Sequence, residues 1–192
     1  MSAPHRPAAG PDTAAGRLRA RLEQLRALAL DRSFTHPAFA DLVLAHGRDY
    51  APALWPAAAQ AHPQRAGDCF AGAHEWADDE GWTYCGGYAL AAADPVIGAF
   101  EHAWCLIPEG RAADPAVPDG RVLAYRGLPL TDAFRRAQGR GGHAVITFGR
   151  DLLTGPNLDV LRGGLPPDAL AAGTPDTAEA SGRRPRTAHE EG

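Results

Sequence analysis

The sequence predicts an α+β fold, with N-terminal helices packed on a mostly antiparallel sheet. Three observations predict it. Apolar residues recur at helical spacing through roughly the first eighty positions, beginning with Leu18, Leu22 and Leu25. After Gly81 the chain changes to short aromatic and β-branched segments separated by turn residues. Between two of those segments lies Pro108-Glu109-Gly110, the chemistry of a tight hairpin loop.

The elements follow in order. Residues 1–14 are rich in Ala, Pro and Gly and are expected to be disordered. A helix is expected from about 15 to 30, with Leu18, Leu22, Leu25 and Leu28 on one face and Arg on the other. A second starts near Pro37, carries Phe39, Leu42, Val43 and His46, and stops at Gly47. Pro52, Pro56 and Pro63 break the next stretch. A third helix starts at Cys69, with Asp68 as N-cap, an apolar stripe of Phe70, Ala73, Trp76 and Ala77, and Gly81 as its stop. Strands are expected at 82–90, 100–107, 111–114, 121–125 and 143–148. These elements make one α+β domain over residues 15–170, followed by a disordered tail over 171–192, where Gly173, Pro175, Gly182 and Pro185 interrupt anything regular.

Composition narrows the function classes. The formal net charge is −4, so no basic field favours nucleic acid or anionic membrane. The basic residues are all Arg, which excludes Schiff-base chemistry on lysine. The three cysteines, Cys69, Cys85 and Cys105, do not make a disulfide framework, so a reducing, cytoplasmic setting is expected. No signal-peptide pattern and no apolar run long enough for a bilayer span is found. Neither a P-loop nor a Gly-x-Gly-x-x-Gly is present, and no cofactor is expected. Nothing in the sequence bears on oligomeric state.

Cys69 is the focus of the chemistry. At a helix start a thiol meets the positive end of the dipole, and beside a cationic imidazole the nucleophilic thiolate is favoured. The hairpin supplies partners. Its loop places Ile107 opposite Arg111, so position 116 lies opposite His102, with Asp114 as the diagonal neighbour of His102 on the same face. Diagonal side chains of a sheet face lie about 7–8 Å apart at Cα and can meet. The expected roles are therefore Cys69 as nucleophile, His102 as base and then acid, and Asp114 as the group that holds the far ring nitrogen. Gln64, Glu101 and Trp104 are candidates for oxyanion or substrate binding, with Gln60 a neighbour of the first. His143 is the rival base, at the start of Gly142-His143-Ala144-Val145-Ile146-Thr147-Phe148. Asp119 is the rival acid, but Pro118-Asp119-Gly120 is a turn signature with a structural explanation of its own. His74, on the same helix as Cys69, points well round from the thiol.

A thiol at a helix start, His on a strand and Asp on the next, in that chain order, resembles the transglutaminase-like branch of the papain-like cysteine enzymes. A closer likeness is to small uncharacterised bacterial and phage-associated proteins. It rests on Cys69-Phe70, Gly87-Tyr88-Ala89, Glu101-His102-Ala103-Trp104, Asp114-Pro115 and Tyr125-Arg126-Gly127-Leu128-Pro129, over roughly residues 65–130. The resemblance implies a papain-like or transglutaminase-like fold and the triad Cys69, His102 and Asp114, without naming a substrate.

The expectation is a thiol-dependent acyl-transfer enzyme that hydrolyses or forms amides on a small-molecule, peptide or carrier-bound acyl substrate, with no nucleic-acid or membrane partner. Two alternatives stand beside it. One is a catalytically inactive binding module of the same fold. The other is a zinc site drawn from Cys69, Cys85, Cys105 and histidines, which lacks the close Cys pair that structural zinc favours.

Overall fold

The computed structural model describes residues 10, 12–27, 31–59, 66–93, 98–138 and 156–172. Within them the architecture is α+β, with five α-helices and a curled antiparallel five-stranded sheet. The expected strand at 143–148, residues 1–9 of the N-terminal segment and residues 173–192 of the tail lie outside the described residues.

Helix α1 spans Ala14–Leu25, and Thr13 caps it by accepting the Gly16 N–H on its hydroxyl. It begins one residue before the expected start and ends at Leu25, short of the expected 30. Leu18 and Leu22 are its buried stripe. Helix α2 spans Phe39–His46 and buries Phe39, Leu42 and Val43, with Gly47 at its C-cap. A short strand β1, Arg48–Tyr50, follows directly; its three residues are too few to show a period in the sequence.

Helix α3 spans Cys69–Asp79 and buries Ala73 and Ala77, with Phe70 and Trp76 packed at the core margin. Asp68 stands at the N-cap position, but the expected side-chain cap is not made. Its backbone, at φ −128° and ψ 41°, lies outside the extended region from which N-cap side chains reach the first-turn amides. Gly81 leaves the helix in the left-handed region at φ 69°.

The remaining strands are β2 (Thr83–Ala91), β3 (Ala99–Leu106), β4 (Ala112–Ala113) and β5 (Val122–Pro129). Helices α4 (Asp132–Gln138) and α5 (Pro156–Gly163) follow, and neither is among the elements expected from the sequence. The strand order is β1-β5-β2-β3-β4, every pairing antiparallel.

The sheet curls until its two edges meet. Past β1 the chain runs alongside β4: Ala53 N–H donates to Ala112 C=O at 2.7 Å, and Ala112 N–H donates to Ala51 C=O at 3.0 Å. Two cores result. The outer face, with Tyr84, Tyr88, Ala103, Cys105 and Leu128, is covered by residues of α1, α2, α3 and α5. The inner face carries Cys85, Ala89, Trp104, Leu106, Val122 and Tyr125. A third small cluster, Trp55 with Trp76 and Trp82, packs α3 against the segment that closes the sheet.

Glycines make room on the inner face. Gly87 and Gly127 are cross-strand partners beside His102. A Cβ on Gly127 would lie 2.5 Å from the Trp104 ring, and one on Gly87 would lie 2.3 Å from the Arg126 carbonyl oxygen. The indole of Trp104 therefore lies in space that only glycine leaves.

Candidate active site

The hairpin forms in the expected register. Gly110 takes the left-handed conformation at φ 71°, and its N–H donates to Ile107 C=O at 2.8 Å. Ile107 N–H donates to Arg111 C=O, and Cys105 and Leu106 pair with Ala113 and Ala112. β4 is only two residues long, so Asp114 lies just beyond the ladder. Its carboxylate reaches back along the face, and Asp114 Oδ2 sits 2.7 Å from His102 Nε2.

Asp114 is held on both oxygens. Oδ1 accepts the backbone N–H groups of Ala116 and Val117, each at 2.9 Å, which fixes the turn after the strand. Oδ2 accepts the Tyr125 hydroxyl at 2.8 Å as well as His102. The carboxylate is 5% exposed, so burial alone would raise its pKa; the hydrogen bond and charge of His102, then the Ala116 N–H and the Tyr125 hydroxyl, hold it below its ordinary value.

Cys69 reaches the same imidazole from the start of α3. Its thiol is close enough to His102 to be among the groups that raise the imidazole's pKa. With Nε2 on Asp114, Nδ1 is the ring nitrogen that remains for the thiol. The first turn of α3 is seated beside the Asp114 turn, since a Cβ on Gly72 would lie 3.4 Å from Pro115. Beyond Cys105, β3 has no ladder partner on that side among the described residues, which leaves the edge open to the helix.

Electrostatics follow from this sandwich. Burial would lower the His102 pKa, but hydrogen bonds to Asp114 and Cys69, then their charges, outweigh it and raise the pKa to about 9. The imidazolium is thus the favoured form at neutral pH. Cys69 is half-buried, whereas Cys85 and Cys105 are fully buried. Burial is the largest cause that pushes both of those thiols up, which keeps them protonated and unreactive.

The first turn of α3 also presents amides. Gly72 N–H donates to Asp68 C=O at 2.9 Å, so the N–H groups of Cys69, Phe70 and Ala71 precede the first intrahelical bond.

The other candidates fall in different places. Glu101 is half-buried on the next position of β3, with the Tyr88 hydroxyl 3.5 Å from its Oε1. Trp104 is fully buried between Tyr50, Tyr125 and Gly127, so it supports the inner face rather than opening to a ligand. His74 lies away from the thiol: Arg135 donates to its Nδ1 at 3.0 Å, and its ring packs on Tyr84. Asp119 accepts the Trp55 N–H at 3.1 Å and so has a structural task in closing the sheet. Gln60, Gln64 and His143 lie outside the described residues.

Tyr125 is the member of this network that the sequence analysis does not single out. Strand alternation alone could have placed its side chain on one face of β5. Its meeting with Asp114 requires knowing that β5 pairs with β2, so that Tyr125 and Phe100 flank Ala89. Among the described residues no three His, Cys, Asp or Glu side chains gather as metal ligands would. Cys85 and Cys105 belong to opposite faces of the sheet. No helix among the described residues is long and apolar enough to cross a membrane.

No family model, curated protein or solved structure matches this chain. The chemistry of the site therefore rests on its residues.

Proposed function

We propose that the protein is a thiol-dependent acyl-transfer enzyme that breaks or forms amides through an acyl-enzyme on Cys69. One arrangement supports this reading: an imidazole bonded to a buried, fully hydrogen-bonded carboxylate lies close to a half-buried thiol at a helix start. The order of these groups along the chain also supports the transglutaminase-like or papain-like fold. A reducing, cytoplasmic setting suits a thiol that must stay free.

The chemistry then runs in two halves. The Cys69 thiolate attacks the carbonyl carbon, a C–S bond forms, and the carbonyl oxygen becomes an oxyanion near the first-turn amides of α3. His102 imidazolium gives its proton to the leaving amine as the C–N bond breaks. Water or an acceptor amine then attacks the thioester, His102 takes a proton from it, and the thiolate leaves. Asp114 holds the ring through Nε2 and stabilises its charged form. The acyl substrate is a small molecule, a peptide or a carrier-bound group.

The test is covalent. Incubation with p-nitrophenyl acetate is expected to add one acetyl group to the wild-type chain, as read by intact mass, and none to Cys69→Ala. Iodoacetamide at pH 6 is expected to alkylate Cys69 faster than free N-acetylcysteine, with the advantage lost in His102→Ala. A Cys69 that alkylates no faster than the free thiol would leave an inert binding module as the better reading.

A further inference from the structure

We infer that Phe100 is a positioning residue, whose ring holds the His102 imidazole in the plane that turns Nδ1 toward Cys69. The inference rests on the acyl-transfer reading for its catalytic meaning, but the ring contact stands on its own geometry.

His102 needs such a neighbour. Asp114 holds it by one bond to one nitrogen, Nε2, at 2.7 Å. One bond does not fix the plane of the ring, because the second side-chain torsion of histidine is broad and roughly two-fold. A half-turn about it puts carbon where each nitrogen stood. A lesser turn swings Nδ1 away from the thiol. The plane is therefore set by what packs on the ring.

Two aromatic rings pack on it. Phe100 precedes His102 by two residues on β3, so both side chains stand on the same face, where Phe100 packs against the inner core. The Phe100 and His102 ring centroids are 5.2 Å apart, with the planes at 65°. The Tyr125 ring lies more nearly parallel to the imidazole, at 6.3 Å and 26°. Ala89 is the cross-strand neighbour of both Phe100 and Tyr125, and Gly87 is that of His102. These small residues leave room on the inner face for the three rings. With one ring edge-on and one alongside, turning the imidazole drives it into ring atoms, which a close-packed interior resists. Tyr125 is tied to the carboxylate, since its hydroxyl donates to Asp114 Oδ2 at 2.8 Å. Phe100 has no polar atom, so its hold on the imidazole is packing alone.

Two variants of the full chain test this. Phe100→Leu keeps an apolar side chain but removes the flat ring, and Phe100→Tyr keeps the ring. Each is followed by an NMR titration of the His102 ring and by acetylation of Cys69 with p-nitrophenyl acetate. In the wild type His102 titrates at about 9, because its contacts with Asp114 and Cys69 outweigh burial. In Phe100→Leu a loosened ring weakens both contacts, and the midpoint should fall toward the ordinary 6.5. Acetylation should slow roughly 10–100-fold, the scale of a small misplacement of a reacting group. Phe100→Tyr should keep both the midpoint and the rate of the wild type. Far-UV circular dichroism checks folding, and Phe100→Met takes the place of Phe100→Leu if the latter does not fold. A ring that only fills the inner face would lower the urea midpoint and leave His102 titrating at about 9. That result overturns the inference, as does an equal fall in Phe100→Tyr or a wild-type rate of acetylation in Phe100→Leu. A fallen His102 midpoint in Phe100→Leu, with Cys69 unacetylated even in the wild type, upholds the hold on the ring and sinks the acyl-transfer reading instead.

Discussion

Asp114 Oδ2 lies 2.7 Å from His102 Nε2, and the same carboxylate binds two backbone N–H groups of its own turn. The contact is therefore made by a group that has no freedom to turn away. Asp114→Asn is expected to keep the turn but lose the charge that holds His102 protonated. Acylation of Cys69 should fall by roughly 10²–10⁴-fold, and an NMR titration of the His102 ring should show its pKa well below the wild-type value of about 9. An unchanged rate would remove Asp114 from the proposed mechanism.

Stability should depend on pH from both sides of this pair. The His102 pKa is raised from 6.5 to about 9 on folding, so its contribution is complete below about 6.5 and is lost as pH rises through about 9. The Asp114 pKa is lowered, so its contribution is complete above its ordinary value of 3.8 and is lost as pH falls through the folded value. Urea melts from pH 3 to 10 should show both limbs. The alkaline limb should shrink in Cys69→Ala, because the thiol is one of the groups that raise His102.

Tyr125→Phe removes one donor from Asp114 and leaves the ring packing in place. The expected cost is about 1.5–3 kcal/mol, the range for a hydrogen bond to a charged group. The acid limb should also move to higher pH, since the carboxylate loses a group that lowers its pKa. Equal urea midpoints for variant and wild type at every pH would mean that the bond contributes nothing.

Three glycine substitutions should divide cleanly. Gly127→Ala meets the Trp104 ring at 2.5 Å and the Gly86 carbonyl oxygen at 2.6 Å, and Gly87→Ala meets backbone at 2.3 Å. Each should destabilise by at least about 1–3 kcal/mol, the usual cost of overpacking. Gly72→Ala meets Pro115 at 3.4 Å, an ordinary contact, and replaces a glycine near the start of α3. It should be neutral or stabilising by about 0.5–1 kcal/mol. Thermal melts of the three variants rank them, and a Gly127→Ala protein as stable as wild type would contradict the close packing of Trp104.

Local chemistry made much of this legible. Pro108-Glu109-Gly110 encodes its own turn, and side-chain alternation then carries the register back to His102 without any distant contact. Helix α3 starts at Cys69 as expected from its apolar spacing. Strand β1 is not legible in the sequence because three residues carry no period, and the expected cap at Asp68 is not made because residue type does not set the backbone angles that capping needs.

By itself, the sequence determined the α+β class, the start of α3 and the hairpin that pairs His102 with Asp114. These depend on residues close together in the chain, where turn preference and hydrophobic spacing act directly. Only the tertiary structure decided that Cys69 lies close to His102, that Tyr125 completes the Asp114 shell, and that Gly87 and Gly127 clear space for Trp104. Those contacts depend on the strand order and on how the sheet curls and closes at Ala112, which arise from packing summed over distant segments rather than from any one segment's preference.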